Sequence, residues 1–300
     1  MQLGFIGFGE AAFELSAGLK QQGLEHIVAY DPMWNHPTYG SLVQNRAQTA
    51  QVELFRSAEE VVQRVNVLIV AVPADKAFEV SDSIKSHLKS DCVYIDVSAS
   101  SPETKRKISE HIKEKGISFV DAAMMGPLPV YKHQVPILAS GTGTDTFIQL
   151  MSVFGMQITK VSENPGDASA VKLIRSIFMK GMPALLIEML EAAHEFNVDD
   201  MVINSISETM NGKTFEQTMN RLVTGTSIHA LRRAIELEGS IEMLESSNLN
   251  ATMSRAIKDK LKQISEHNLK EKFAGKTPES WLEVIQAIHH QTENILSLKK

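Results

Sequence analysis

The first dozen residues carry the strongest restriction on the fold, a short apolar strand that runs directly into a glycine-rich turn and a helical pattern. Leu3–Ile6 is the strand, and the turn reads Gly7-Phe8-Gly9-Glu10-Ala11-Ala12. This is the G-x-G-x-x-A form of the dinucleotide-binding fingerprint, in the strand–turn–helix context that it requires. Gly7 permits the tight turn, and Gly9 leaves room for a pyrophosphate. Because the helix N-terminus offers free N–H groups, we expect phosphate contacts from Gly7, Phe8, Gly9, Glu10 and Ala11.

Two further features support a nucleotide site. Asp31 ends the second predicted strand 22 residues after Gly9, near the spacing of about 20 at which a carboxylate binds the ribose hydroxyls. A carboxylate there also repels a 2′-phosphate, so the cofactor is NAD or NADP with NAD favoured. The alternative is that Asp31 only ends a strand. Another buried strand ends in Val72 and Pro73, at the sheet edge where a dinucleotide lies, and both join the expected cofactor site.

Short apolar runs alternate with amphipathic stretches over the first half of the chain. This alternation predicts crossover connections and a doubly wound, mostly parallel sheet with helices on both faces, which is a Rossmann fold. The second half shows only helical patterns, and its first helix, 167–196, contains Pro183. We therefore predict a Rossmann domain over 1–163 and an all-helical domain over 164–300. The predicted strands are Gln2–Gly7, Ile27–Asp31, Val67–Val72, Val93–Val97, Phe119–Ala122 and Pro136–Ser140.

Composition excludes several classes of protein. The 300 residues carry a formal net charge of −6, so no basic field is expected to attract nucleic acid or an anionic membrane. The single cysteine, Cys92, excludes an internal disulfide framework and a cysteine-only zinc cluster, and no metal motif is present. The N-terminus lacks the basic region of a signal peptide, and no apolar stretch reaches about 18 residues. We expect a cytoplasmic protein with no metal, nucleic-acid or membrane partner.

The chain resembles the β-hydroxyacid dehydrogenase family, which includes 3-hydroxyisobutyrate and 6-phosphogluconate dehydrogenases. Beside the glycine fingerprint, the family pattern D-x-S-T-x-x-P is present as Asp96–Pro102, with alanine for threonine, and the catalytic glycine–lysine stretch as Gly166–Lys172. Thr224–Arg233 is similar to a branch with a phosphogluconate-dehydrogenase-type C-terminal domain. The resemblance covers nearly the full length. It implies an NAD(P)-dependent oxidoreductase that transfers a hydride between nicotinamide and the alcohol or carbonyl of a hydroxyacid-like substrate.

Within that resemblance, Lys172 takes the role of the general acid/base that exchanges a proton with the substrate oxygen. It lies in an otherwise apolar helical stretch that we expect to be largely buried, and burial lowers the pKa of a lysine toward the range useful for proton transfer. Ser176 shares its helix face at i+4, where relatives usually carry an asparagine. The alternative is a lysine that extends its charge from the helix edge into water.

The substrate pocket departs from the family pattern. Relatives carry serine–glycine–glycine where this chain has Met125-Gly126-Pro127. A methionine side chain cannot bind a carboxylate, whereas the Gly126 amide still offers an N–H, and Ser98 is available to substrate or cofactor. We therefore expect a pocket that is larger or less polar than in those relatives. The cations expected to bind an anionic substrate group are Arg175, His229, Arg232 and Arg233. For Arg175 the alternative is an ion pair with an acid across the domain interface, and for the other three it is a solvated helix face with an internal ion pair.

Three other functions remain open. Reduction of an imine is one, although related imine reductases usually lack the lysine. Oxidative decarboxylation of the 6-phosphogluconate type is another. A catalytically inactive protein that senses NAD(P) is a third, from a different class. In every case we expect a homodimer, and a small anionic or polar organic molecule as substrate or ligand.

Overall fold

The structure, a computed structural model, describes residues 1–297, with side chains described as far as His289. The chain divides into two compact units, one covering Met1–Ile177 and the other beginning at Phe178. The division falls inside one long helix, Asp167–Glu195, which continues through Pro183. The predicted domain boundary between residues 163 and 164 stays a prediction.

The first unit is built on one eight-stranded sheet in the order β3-β2-β1-β4-β5-β6-β7-β8. Every neighbouring pair is parallel except β6 and β7, which are antiparallel. The predicted Rossmann-type, mostly parallel sheet is therefore confirmed. The strands are β1 Leu3–Ile6, β2 Ile27–Tyr30, β3 Glu53–Leu54, β4 Val67–Val70, β5 Val93–Asp96, β6 Ser118–Met124, β7 Ile137–Ser140 and β8 Ile158–Ser162.

Successive strand residues alternate between two buried apolar clusters, as the pleat of a sheet covered on both faces requires. The helices of this unit are α1 Glu10–Gln21, α2 Gly40–Thr49, α3 Ala58–Val62, α4 Ala77–Ile84, α5 Pro102–Lys113, α6 Leu128–Tyr131, α7 Thr144–Met151 and the first part of α8 Asp167–Glu195. One cluster joins Phe5 and Ile69 to side chains of α1, α2 and α7, and the other joins Ile6 and Leu68 to side chains of α3, α4 and α5.

The second unit is helical throughout its described part, as predicted. Two of its helices begin with strong caps. Thr214 and Gln217 form a reciprocal capping box before the 32-residue helix Phe215–Ser246. The buried Glu188 carboxylate accepts hydrogen bonds from the first turn of the helix Thr252–Ser265. No helix in the described chain is both long and apolar enough to cross a membrane. These helices are α9 Asp199–Met210, α10 Phe215–Ser246, α11 Thr252–Ser265, α12 Leu269–Lys272 and α13 Trp281–Ser297.

Candidate functional site

One row of sheet residues organises the candidate site, and we call it the end row. Its members are paired in register across six neighbouring strands, so their Cα atoms lie side by side. The chain leaves the sheet directly after this row in β1, β2, β4 and β5, which brings four loops to one edge. The end row consists of Tyr30, Ile6, Val70, Asp96, Asp121 and Ser140.

The turn after β1 accepts only glycine at its first position. Gly7 has φ +85°, and its N–H donates to the Tyr30 carbonyl at 2.8 Å. A Cβ at this position would lie 2.4 Å from the carbonyl oxygen of Ala71, in the loop after β4. The first glycine of the fingerprint therefore allows β1 and β4 to pass each other closely.

The second glycine faces open space. Gly9 is the N-cap of α1 and has no side chain to accept a hydrogen bond from the first turn of the helix. A Cβ built on Gly9 has no protein atom within 4 Å. This uncovered helix end fits the pyrophosphate of a dinucleotide, which would accept from the backbone N–H groups. Of the other loop residues, Glu10 is exposed and Ala11 is half-buried.

Phe8 and Asp31 fix the shape of this loop. The Phe8 side chain is buried and packs edge-to-face on Phe5, with ring centroids 6.3 Å apart, so only its backbone lies in the loop. The Phe8 N–H donates to Asp31 Oδ2 at 2.7 Å, and Asp31 Oδ1 accepts from the Met33 N–H at 2.8 Å. Each carboxylate oxygen retains a further acceptor position. The residues present therefore fit a ribose as well as a pyrophosphate.

The loops after β4 and β5 complete this edge of the first unit. Val72 is half-buried beside Gly7, and Pro73 is exposed. Ser98 is buried, its N–H donates to Asp96 Oδ1 at 2.8 Å, and its Oγ lies 2.9 Å from Ser100 Oγ. β1 and β4 are neighbours at the point where the strand order reverses, which is where ligands bind in open parallel sheets.

A buried ionic cluster lies under these loops, and the sequence analysis did not identify it. Lys105, Asp96 and Asp121 are all fully buried. The Lys105 Nζ lies 3.0 Å from Asp96 Oδ1 and 3.5 Å from Asp121 Oδ1. It also donates to the carbonyl oxygens of Asp96 and Ser98, at 2.9 and 3.0 Å. The Lys105 ammonium group thus joins the last residue of β5 and the first turn of α5 to the middle of β6.

The loop after β6 holds the residues that depart from the family pattern. Met125 and Gly126 are both half-buried. The Met125 N–H is occupied, because it donates to the carbonyl of Pro136 at 2.8 Å. A Cβ on Gly126 would come within 3.1 Å of the Tyr131 ring. The backbone of this segment is therefore held by its own turn.

The helix that carries the proposed acid/base residue is bound to the sheet at its first turn. The Ser169 N–H and Oγ donate to the two carboxylate oxygens of Asp121 at 2.8 and 2.6 Å, and the Ala168 N–H donates to Ser140 Oγ at 3.0 Å. Lys172 lies three residues after Ser169, hence on the same side of the helix. The structure thus attaches the segment before Lys172 to the end row.

The expected burial around Lys172 is wrong for the chain described. Lys172 and Ser176 are half-buried, whereas Arg175 is exposed. Their apolar neighbours are also exposed, Ile174 by 67% and Ile177 by 75%. The apolar stretch around Lys172 does not by itself determine burial, because a helix buries only the faces that other elements cover.

The three cations of the second unit have distinct surroundings. His229 interrupts α10 with non-helical dihedral angles (φ −119°, ψ 15°) and is exposed. Arg232 is exposed and pairs with Glu236, Nε to Oε1 3.3 Å. Arg233 reaches back across the interruption and donates to Thr226 Oγ1. The local ion pair that the sequence analysis held open is therefore present at Arg232.

Burial and geometry also bear on metal binding and on a nucleophilic role for Cys92. In the described residues, no three histidine, cysteine, aspartate or glutamate side chains form a group that could hold a metal ion. Cys92 is buried, and burial raises the pKa of its thiol to about 12, with a further contribution from the Asp91 carboxylate. The thiolate is the reactive form, so Cys92 is not a nucleophile at neutral pH.

This burial makes a direct prediction. The native protein is expected not to react with 5,5′-dithiobis(2-nitrobenzoate) at pH 8, because Cys92 is inaccessible and protonated. One thiol per chain is expected to react once guanidinium chloride unfolds the protein. The release of the coloured thiolate measures both. Stoichiometric reaction of the folded protein within minutes would contradict the buried position.

Family models match two stretches of the chain. The model described as the NAD binding domain of 6-phosphogluconate dehydrogenase matches residues 2–159. The model described as Domain of unknown function (DUF1932) matches residues 193–264. The two matches fall on the Rossmann-type sheet and on the helical second unit.

Individual proteins add three comparisons. A conserved protein of unknown function, described as structurally similar to 3-hydroxyacid dehydrogenases, is 32% identical, with 88% of this chain and 98% of that chain covered and a TM-score of 0.62. A variant of the imine reductase from Myxococcus stipitatus, in complex with NAD⁺, is 16% identical (96% and 98% covered, TM-score 0.73), which shows a shared fold. The 2-(hydroxymethyl)glutarate dehydrogenase from Eubacterium barkeri is 22% identical over 72% of this chain and 71% of that protein.

Proposed function

We propose, because the chain belongs to the family of the NAD binding domain of 6-phosphogluconate dehydrogenase, that it is an NAD(P)-dependent oxidoreductase acting on the alcohol or carbonyl group of a hydroxyacid-like substrate. One observation carries this proposal. The glycine loop and the first turn of α8, three residues before Lys172, are both fixed at the end row of the same sheet. A cofactor-binding loop and a proton-transfer group thereby belong to one rigid scaffold.

Each group has a separate task in the proposed reaction. The N-terminus of α1 and the Asp31 carboxylate bind the dinucleotide. The bound nicotinamide would supply the hydride donor or acceptor for the substrate carbon. Lys172 takes the proton from the substrate hydroxyl in oxidation and returns it to the carbonyl oxygen in reduction, while Ser176, four residues on, hydrogen-bonds to substrate or lysine. General acid/base catalysis of this kind typically contributes about 10²- to 10⁴-fold in rate.

The substrate is proposed to be a small molecule with an anionic group. Ser98 and the Gly126 N–H are proposed to offer it hydrogen bonds, Met125 to provide an apolar wall, and the exposed Arg175 to provide a cation. From the second unit, His229, Arg232 and Arg233 are proposed as further anion-binding groups. The Eubacterium barkeri relative acts on a hydroxyl-bearing dicarboxylate, which supports a hydroxyacid. Asp31 favours NAD, because a 2′-phosphate would meet its carboxylate.

Imine reduction is the second candidate, and the fold shared with the Myxococcus stipitatus enzyme favours it. Lys172 favours a carbonyl or alcohol substrate over an imine, because a ketone or aldehyde requires a proton on its oxygen as it is reduced. Oxidative decarboxylation remains a variant of the first reaction. We propose a cytoplasmic location, because a chain with a single cysteine fits a reducing compartment.

A screen by nicotinamide absorbance tests the proposal. Hydroxyacids, sugar acids and cyclic imines are offered with NAD and with NADP, in both directions. Turnover of at least one hydroxyacid, with a higher kcat/KM for NAD, is the expected result. Turnover of imines alone would replace the proposal by the second candidate. Nucleotide binding without any turnover would favour a sensor, and failure to bind either nucleotide would contradict every version.

We also propose a homodimer formed through α8. Leu185, Leu186 and Ile187 are consecutive, hence about 100° apart around the helix, and all three are exposed. A helix that is apolar all round is normally buried, and a second copy brings the same helix, as a two-fold interface requires. The exposed apolar residues of α8 are Val171, Leu173, Ile174, Ile177, Phe178, Met179, Met182, Leu185, Leu186, Ile187 and Leu190.

Light scattering on the chromatographed protein tests the dimer. The wild type is expected to have twice the mass of one chain, and Ile177→Asp is expected to have the mass of a monomer. Val153→Asp is the matched control, because Val153 is exposed to the same extent (76% against 75%) but lies outside α8, in the 3₁₀ turn Ser152–Phe154. A monomeric wild type at micromolar concentration, or dissociation by both variants alike, would refute the interface.

A further inference from the structure

The buried cluster of Lys105, Asp96 and Asp121 contains two carboxylates and a single ammonium group. Burying such charges is unfavourable unless hydrogen bonds and opposite charges compensate them. Lys105 compensates Asp96 more closely than Asp121, at 3.0 against 3.5 Å. Asp121 therefore depends on other donors for part of its stabilisation.

Those donors come from the helix that carries Lys172. Ser169 gives Asp121 two short hydrogen bonds, one from its N–H and one from its hydroxyl, at 2.8 and 2.6 Å. The positive end of the α8 dipole adds to them. Ser140, opposite Asp121 on β7, lies 3.5 Å from the same carboxylate and accepts from the Ala168 N–H. The start of α8 is thus the counterpart of a buried negative charge.

The same cluster also fixes the loop that carries Ser98. Lys105 donates to the Ser98 carbonyl, and Asp96 accepts from the Ser98 N–H. The loop before α8 is pressed against this region, because Gly166, at φ +95°, would place a Cβ 2.6 Å from the Pro102 carbonyl oxygen. Ser98 and the first turn of α8 are consequently held by one set of buried bonds.

We propose that Asp121, acting through Ser169 and braced by Lys105, is a positioning residue for Lys172. The inference rests on the proposed function, in which Lys172 exchanges a proton with substrate. Lys172 lies three residues, a little under one helical turn, beyond Ser169, about 4.5 Å along the axis. Freedom in that first turn therefore moves the amine relative to Ser98 and the cofactor loop. Misplacing a reacting group by about 1 Å can cost about 10²-fold in rate.

Ser169→Ala tests this with little disturbance, because it removes one hydroxyl and keeps the backbone N–H bond to Asp121. The matched control is Ser254→Ala. The Ser254 hydroxyl and N–H donate to the buried Glu188 carboxylate at 2.7 and 2.8 Å, also in the first turn of a helix. Ser169→Thr keeps the hydroxyl and serves as the rescue variant. The three proteins and the wild type are compared in Tm, in kcat and in the KM for cofactor.

The two alanine variants are expected to lose similar amounts of Tm. Only Ser169→Ala is expected to lose kcat, by about 10- to 100-fold, with an unchanged KM for cofactor, and Ser169→Thr should recover most of it. Equal kcat in Ser169→Ala and Ser254→Ala, at equal loss of Tm, would reduce the cluster to a structural role and overturn the proposal. Failure of Ser169→Thr to recover kcat while its Tm returns would overturn it as well.

A second readout does not depend on turnover. Trace acetylation followed by peptide mass spectrometry measures how fast the Lys172 amine reacts. The rate is expected to rise in Ser169→Ala, because a loosened first turn exposes the amine, and to match the wild type in Ser254→Ala. Were Lys172→Ala fully active, the proposed function would fail, and this labelling would still decide whether Ser169 and Asp121 hold the lysine. An unchanged labelling rate would refute the positioning itself.

Discussion

Lys172→Ala is expected to reduce kcat by about 10²- to 10⁴-fold, the range typical for loss of a general acid/base. Binding of NAD(P) is expected to stay within about twofold, because the groups proposed to bind phosphate and ribose are the glycine loop and Asp31, and the substitution leaves both intact. The loss should therefore fall on the chemical step rather than on formation of the cofactor complex.

Initial rates with the best substrate of the panel, and a fluorescence titration of NADH, measure the two quantities. Lys180→Ala is the matched control, since Lys180 is an exposed lysine of the same helix, eight residues or about two turns further on. Its kcat should stay near that of the wild type. Full activity in Lys172→Ala, or an equal loss in both variants, would remove Lys172 from the mechanism.

Gly9→Ala is expected to weaken NAD(P) binding by about 10- to 100-fold without lowering Tm. The added methyl meets no protein atom within 4 Å, and the φ of −76° suits alanine. It does occupy the space in front of the α1 N-terminus, where the pyrophosphate would accept N–H bonds. Hydrogen bonds to charged groups are worth about 1.5–3 kcal/mol, and each 1.4 kcal/mol corresponds to a factor of ten in Kd.

Gly7→Ala is expected to show the opposite pattern, in which the main effect is a lower Tm. Its Cβ would collide with the Ala71 carbonyl at 2.4 Å, in a backbone conformation of φ +85°, and strain of this type costs about 1–3 kcal/mol even without the collision. Thermal unfolding and nucleotide titration on both variants distinguish the two glycines. A Gly9→Ala protein that binds NAD(P) as well as the wild type would place the phosphates elsewhere.

Most of the sheet could be predicted because its central strands are buried on both faces and read as short apolar runs. The two strands that the sequence analysis missed are the outermost ones. β8, Ile158–Ser162, pairs on one side only and has three exposed residues. β3 contains two residues, neither of them fully buried. An edge strand need not be apolar, so its pairing is decided by its neighbour rather than by its own composition.

The tight turn at Gly7 could be predicted because its backbone conformation, φ +85°, favours glycine, whereas the role of Asp31 toward a ribose stays a prediction. The buried cluster was missed although a signal was present. Ile108 and Ile112 follow Lys105 at i+3 and i+7 within one amphipathic helix, on the face that is buried. A lysine on such a face requires a partner, and the acidic residues that end or cross neighbouring strands supply it. That Ser169 would complete the cluster could not be predicted, because it lies 48 residues from Asp121.

The anchoring of α8 to β6 changes where the polypeptide can be cut. A fragment ending at residue 163 would leave the Asp121 carboxylate without both of the hydrogen bonds that Ser169 donates to it. A fragment ending at Ile177, where the first compact unit ends, keeps them. The opening turns of α8 are thus part of the nucleotide-binding half of the protein, and domain exchange between relatives should join the chains after those turns rather than before them.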